Sequence, residues 1–168
     1  PFPFMFRMTY VIRDCFVEIK YDVMNTGDET MFYKIGAHPA FNCPLTEEDR
    51  VENYEIIFPQ EETAACPVMD TETQQFYSNR RRTVLNGERK FRLSYDLFPQ
   101  DALVFDSLKS RSVTLASVLT GRGVQVDFEG FDTLGIWTPP EKRAPFLCLE
   151  PWAGCAVRYE DEDGTFEG

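Results

Sequence analysis

At 168 residues, with 43% hydrophobic and 27% charged side chains, the chain has the length and composition of one globular domain and falls outside the disordered class. A net charge of −11 repels phosphate backbones and anionic lipid surfaces, so no nucleic-acid or membrane partner is expected. Five cysteines at irregular spacings, with no Cys-x-x-Cys pair and a single histidine, favour neither a disulfide framework nor a zinc site and point to a reducing, cytoplasmic setting.

The opening Pro1-Phe2-Pro3-Phe4 is apolar and strand-like and lacks the charged-then-apolar order of a signal peptide. Val17, Ile19, Tyr21 and Val23 alternate with Glu18, Lys20 and Asp22, which predicts a half-buried strand. Asn25-Thr26-Gly27-Asp28 supplies turn chemistry, with Gly27 free to take a positive φ, and a return strand is expected through Phe32 to Ile35. Next comes Ile35-Gly36-Ala37-His38-Pro39-Ala40-Phe41-Asn42, which holds the lone histidine. Proton transfer through an imidazole near neutral pH must use His38; a histidine merely satisfied by hydrogen bonds at a strand end fits the same segment.

Single helical turns are expected near Thr46 to Arg50 and Asp96 to Gln100, since no segment sustains a helical apolar period. Further strands are predicted around Tyr54 to Phe58, Val113 to Leu115, Val124 to Phe128 and Leu134 to Ile136. The basic run Arg80-Arg81-Arg82, between Asn79 and Thr83 with Asn86-Gly87 beyond, reads as a solvated turn, with phosphate binding as its alternative. Strands separated by Gly and Pro turns make a mainly antiparallel β-sandwich, with no internal repeat or linker dividing the chain. The 15 phenylalanines suit packing between sheets or stacking against a ligand.

Both ends read as interior to a longer chain, because a complete domain would pair or protect its sheet edges. The acidic Glu160-Asp161-Glu162-Asp163-Gly164 is read as a solvated loop, since counting back from Gly164 sets Tyr159 at the first position of a calcium loop.

Three polar groups stand where strands meet turns in apolar surroundings: His38, Asp101 before Ala102-Leu103-Val104-Phe105, and Glu150 between Phe146-Leu147-Cys148-Leu149 and Pro151-Trp152. A carboxylate directly after four apolar residues must face a polar pocket or solvent, or else be neutralised. With its pKa raised by apolar walls it makes a general base near neutrality, and an imidazole across the same cleft makes the complementary acid. Taken singly, Asp101 also fits a turn residue and Glu150 a strand-end carboxylate.

Asn25-Thr26-Gly27-Asp28, His38-Pro39-Ala40-Phe41-Asn42, Asp101-Ala102-Leu103-Val104-Phe105, Gly135-Ile136-Trp137-Thr138-Pro139 and Leu149-Glu150-Pro151-Trp152-Ala153-Gly154 occur in an order that resembles the aldose 1-epimerase, or galactose mutarotase-like, family and within it the bacterial LacX-like branch. The resemblance implies one partial domain over residues 1–168, an antiparallel β-supersandwich, acting on the anomeric carbon of a free hexose without metal or cofactor. It implies that Glu150 removes the proton from the C1 hydroxyl, that His38 protonates the ring oxygen, and that Asp101 holds a sugar hydroxyl. Phe41 or Trp152 would offer an apolar face to the ring. The family's N-terminal portion, with a His-Gly segment and an arginine lining the sugar site, has no counterpart before Pro1. The expected partner is a small-molecule sugar, and the expected state a monomer or homodimer. Two alternatives stand beside the mutarotase reading: a hexose-6-phosphate 1-epimerase, which needs Arg80 to Arg82 at the pocket, and a non-catalytic carbohydrate-binding module.

Overall fold

The alternation of residues 17 to 23 does build a strand, but its partner precedes it. In the computed structural model, which describes residues 2–99 and 101–155, β1 (Phe4–Arg13) and β2 (Phe16–Asn25) form an antiparallel ribbon running from Phe4 opposite Asn25 to Arg13 opposite Phe16. Asp14, at a φ of 50°, turns the chain between them. The expected return strand through Phe32 is therefore absent, and regular pairing resumes only at Ile35. The Asn25 to Asp28 segment is nonetheless a turn: the Gly27 amide donates to Asn25 Oδ1 at 2.9 Å and Asn25 Nδ2 donates to the Glu29 carbonyl at 2.7 Å. Gly27 serves close approach here rather than positive φ, since a Cβ on it would lie 2.7 Å from Pro3 Cγ. This ribbon belongs to a compact unit, Pro1–Tyr33; the rest of the chain forms a second unit, Lys34–Gly168.

The second unit contains two antiparallel sheets. One holds β3 (Ile35–Gly36), β4 (Ala40–Asn42), β7 (Leu103–Phe105), β10 (Thr133–Trp137) and β11 (Phe146–Ala153), ordered β3-β11-β10-β7 with β4 also paired to β11. The other is ordered β6-β5-β8-β9, from β5 (Tyr54–Met69), β6 (Phe76–Arg92), β8 (Ser112–Ser117) and β9 (Gly123–Asp127). Alternate residues of each sheet meet in one core: Tyr54, Ile56 and Phe58 from β5, Val113 and Leu115 from β8, and Leu103, Phe105, Leu134, Ile136, Leu147 and Leu149 from the first sheet. Phe58 and Phe105 lock the layers edge to face, with centroids 5.9 Å apart.

Helix is confined, among the described residues, to 3-10 turns at Val51–Asn53 and Tyr95–Leu97, within a few residues of the two expected turns. Gln100 and the acidic Tyr159 to Gly168 segment lie outside the described residues. No helix of the described residues is long and apolar enough to cross a membrane.

Buried carboxylates fasten the second sheet to its loops. Glu62, 1% exposed, accepts hydrogen bonds from the Ser110 amide and hydroxyl at 2.7 and 2.6 Å and from the Lys109 amide at 3.1 Å. Asp49 accepts from Ser117 Oγ at 2.5 Å and Asn53 Nδ2 at 2.8 Å, and the Ser117 bond is the main cause holding its carboxyl below the ordinary range. The arginine run is a correction to the sequence reading. Arg80, Arg81 and Arg82 lie inside β6, not in a turn, because β5 pairs with this stretch (Pro67 opposite Arg81, Cys66 opposite Arg82) through several register shifts.

Candidate active site

β11 carries the site because its residues alternate faces. Leu147 and Leu149 point into the core, and Cys148, Glu150 and Trp152 share the opposite face. Pairing with β10 sets Trp137 beside Cys148, Gly135 beside Glu150 and Thr133 beside Trp152, and pairing with β7 sets Val104 beside Gly135. On the other side, Gly36 of β3 opposes Trp152 and Ala40 of β4 opposes Cys148. The same register carried through the gap between β3 and β4 sets His38 directly opposite Glu150. Backbone bonds from the Ala37 amide to the Pro151 carbonyl (2.9 Å) and from the Leu149 amide to the Pro39 carbonyl (3.2 Å) hold that register. His38 Nε2 lies 3.3 Å from Glu150 Oε1.

The two groups are unequally buried: the His38 side chain is 62% exposed and that of Glu150 only 5%. Burial is the main cause raising the Glu150 carboxyl above its ordinary pKa. His38 opposes that rise, the negative charge of Asp101 adds to it, and a hydrogen bond from the Trp152 side chain lowers it again. His38 is further held edge-on to Trp137, with centroids 5.9 Å apart, and Trp137 packs at 6.2 Å on Phe146.

Trp152 lies over two glycines. A Cβ on Gly36 would sit 2.5 Å from Trp152 Cδ1, and one on Gly135 would sit 3.0 Å from Cζ2, so side chains at either position would displace the indole. The absence of both side chains lets the ring lean along the sheet toward Glu150, the group it hydrogen-bonds.

The family-model comparison matches residues 1–164 to "Aldose 1-epimerase". The chain belongs to the aldose 1-epimerase family. Among curated relatives, the plasmid and chromosomal LacX proteins of Lactococcus lactis subsp. lactis are each 39% identical over 161 residues, covering 95% of this chain and 54% of theirs. The chain thus spans about half the length of the curated relatives it matches. Among solved structures, a galactose mutarotase related enzyme from Lactobacillus acidophilus superimposes with a TM-score of 0.84 at 30% identity, over 95% of this chain and 53% of that one. A galactose mutarotase-like protein from Lactobacillus casei has the same fold, with a TM-score of 0.78 at 23% identity over 94% of this chain and 53% of that one. The antiparallel β-sandwich of this family is the fold observed here.

Of the five residues singled out in the sequence, the aldose 1-epimerase fold brings four into one neighbourhood: His38, Glu150, Trp152 and Asp101, the last within electrostatic reach of Glu150. Phe41 is a correction. It pairs with Leu147, on the core face of β11, and packs against the core cluster, away from the face that Glu150 occupies. Its parity carries the signal: in extended chain, residue 41 and residue 38 point to opposite faces.

Cys148 escaped sequence reasoning. Two residues before Glu150 on one strand, it shares that face and is 1% exposed. Its thiol is pushed up to about 11, first by burial and then by the Glu150 charge. Asp101 also lines a small cleft, partly open to solvent, with Cys66, Met69, Arg82 and Pro99. Of the three arginines only Arg82 lines it, and its guanidinium also donates to the Leu97 carbonyl. Arg81 is bonded to Asp106 and to the Ala65 carbonyl, and Arg80 stacks 4.3 Å over the Tyr77 ring.

Proposed function

We propose that the protein is a cofactor-independent aldose 1-epimerase that interconverts the α and β anomers of a free hexose. The observation that carries this reading is the 3.3 Å approach of His38 Nε2 to Glu150 Oε1 across one row of the sheet. Ring opening removes a proton from the C1 hydroxyl and adds one to the ring oxygen. Both oxygens are bonded to the same carbon, so the acid and the base must work within a few ångströms of each other. The step requires His38 to start as the imidazolium and Glu150 as the carboxylate. Glu150 takes the hydroxyl proton and His38 gives its own to the ring oxygen; rotation about C1–C2 follows, and the reverse transfers close the ring on the other face. The pair ends as it began, so catalysis needs no net proton exchange with solvent.

Burial supports the role of Glu150, because a carboxylate raised above its ordinary pKa holds the proton better in the open-chain intermediate. Asp101 would accept a hydrogen bond from a sugar hydroxyl, and Trp152 would present its indole to the ring. Polarimetry on freshly dissolved α-glucose and α-galactose tests the proposal. The protein is expected to speed mutarotation above the spontaneous rate, and His38→Asn or Glu150→Gln to cost about 10²–10⁴-fold each. Equal rates in all three proteins would leave a carbohydrate-binding module as the better account.

The hexose-6-phosphate reading keeps one supporting observation, the position of Arg82 in the cleft beside Asp101. It predicts that Arg82→Gln weakens hexose-6-phosphate turnover while sparing that of the free hexose. An equal effect on both substrates removes it.

A further inference from the structure

We propose that His38, Cys148 and Glu150 together form a binding site for a thiophilic divalent cation of the Zn²⁺ type, and that the bound ion blocks the proton-transfer pair. The blocking half of the proposal rests on the aldose 1-epimerase reading; the binding half does not. One ligand atom from each residue, the histidine nitrogen, the cysteine sulfur and a carboxylate oxygen, lies within 4.8 Å of the other two. Zinc sits about 2.3 Å from sulfur and about 2.0–2.2 Å from nitrogen or oxygen, which sets tetrahedral ligands roughly 3.3–3.8 Å apart. The His38–Glu150 separation of 3.3 Å already meets that spacing, and the sulfur needs to close by about 1 Å. Nitrogen, sulfur and one carboxylate oxygen form a donor set suited to zinc, with a fourth position left for water.

The fold makes this constellation where the spacing of the sequence does not. Cys148 and Glu150 come from one face of β11, and His38 comes from the segment between β3 and β4, opposite Glu150. The mechanism has no use for the Cys148 thiol. His38 is the exposed member, so an ion arrives from its side and reaches the buried carboxylate and sulfur beneath. Binding releases the thiol proton to solvent and leaves the thiolate on the metal. It also occupies the Nε2 lone pair and the carboxylate, so His38 can no longer carry the proton it would donate and Glu150 can no longer accept one.

Co²⁺ and Zn²⁺, added as simple salts to the full chain, test the site. Co²⁺ is expected to bind one to one with a near-ultraviolet thiolate-to-metal charge-transfer band, and Zn²⁺ to displace it. Cys148→Ser should abolish the band, and His38→Asn, a change at an exposed side chain, should weaken Co²⁺ binding on the order of 100-fold. Circular dichroism on both variants verifies the fold, and the histidine variant decides if the buried serine disturbs packing. Absence of binding, or a band that survives both substitutions, overturns the proposal. Sugar turnover separates it from the reading above. Metal bound by a protein that does not turn over sugar retains the site and removes the enzyme; mutarotation untouched by saturating Zn²⁺ removes the block and leaves the enzyme.

Discussion

Gly36→Ala is the most revealing small change in this protein, because it tests the seat of Trp152 without replacing a polar side chain. The added methyl carbon would lie 2.5 Å from Trp152 Cδ1, 3.2 Å from Cγ and 3.3 Å from Nε1, where carbon–carbon contacts settle at about 3.5–4.0 Å. The indole must therefore retreat by about 1 Å, and its hydrogen bond to Glu150 goes with it. Overpacking of this kind costs about 1–3 kcal/mol. Gly135→Ala meets the same ring at 3.0 and 3.3 Å and should cost less. The loss belongs to the ring and not to the backbone, since neither glycine has a positive φ. Removing the ring should then reverse the sign: in a Trp152→Ala background, Gly36→Ala is expected to stabilise by about 0.5–1 kcal/mol, the ordinary advantage of alanine over glycine in a strand. Urea unfolding of the four proteins gives the coupling directly. If Gly36→Ala costs the same with and without the indole, the reasoning about this seat is refuted.

Further outcomes concern the charges of the site. Glu150 has a raised pKa in the folded protein, so the folded state binds its proton more readily than the unfolded state does; its neutral carboxyl is accommodated at low pH, and its charge opposes folding as pH rises through the folded value. Glu150→Gln should accordingly raise the urea midpoint at neutral pH while removing activity, and a lowered midpoint would show that the His38 contact outweighs burial. In kcat/KM against pH, the acid limb should lie above the ordinary glutamate value, with the rate falling as pH drops through it. Asp101→Asn removes a charge that raises Glu150, so it should move that limb to lower pH. A limb that does not move would mean that Asp101 does not influence the base. At Glu62, replacement by Ala strands the Lys109 and Ser110 donors and should cost about 1–3 kcal/mol in chemical unfolding; an unchanged midpoint would show that water replaces the carboxylate.

The pattern of alternation revealed the strands whose two faces differ in environment. Residues 54 to 58 and 113 to 115 lie in strands with one buried face, as alternation expects; residues 17 to 23 and 134 to 136 are strands too, but Val17 and Ile19 are exposed and β10 is buried on both faces. Alternation failed in the long β5–β6 hairpin. Register shifts near Glu62 and Pro67 break the period, and the arginines lie on strand surfaces where polar side chains cost nothing. It also could not tell which neighbour β2 would take, since both flanking segments carry turn residues and apolar side chains.

At the site, the residue types of His38 and Glu150 were legible, and the family pattern linked them. Their opposition was not, because it depends on the register between β11 and the β3–β4 strand pair, which lies more than 100 positions earlier in the chain. Two simpler signals were available in the parity of the strands. Phe41 differs from His38 by an odd number of residues and so faces the core, whereas Cys148 differs from Glu150 by two and so joins the site.

The central claim is that His38 and Glu150 act as one proton-transfer unit, and the mutarotation rate of the double variant His38→Asn/Glu150→Gln, measured by polarimetry beside both single variants, tests it most directly. Groups that work in the same step lose most of their value together, so the double variant is expected to be slower than the worse single variant by no more than about tenfold. Losses that multiply in full, or single variants that keep the rate of the unaltered protein, would contradict it.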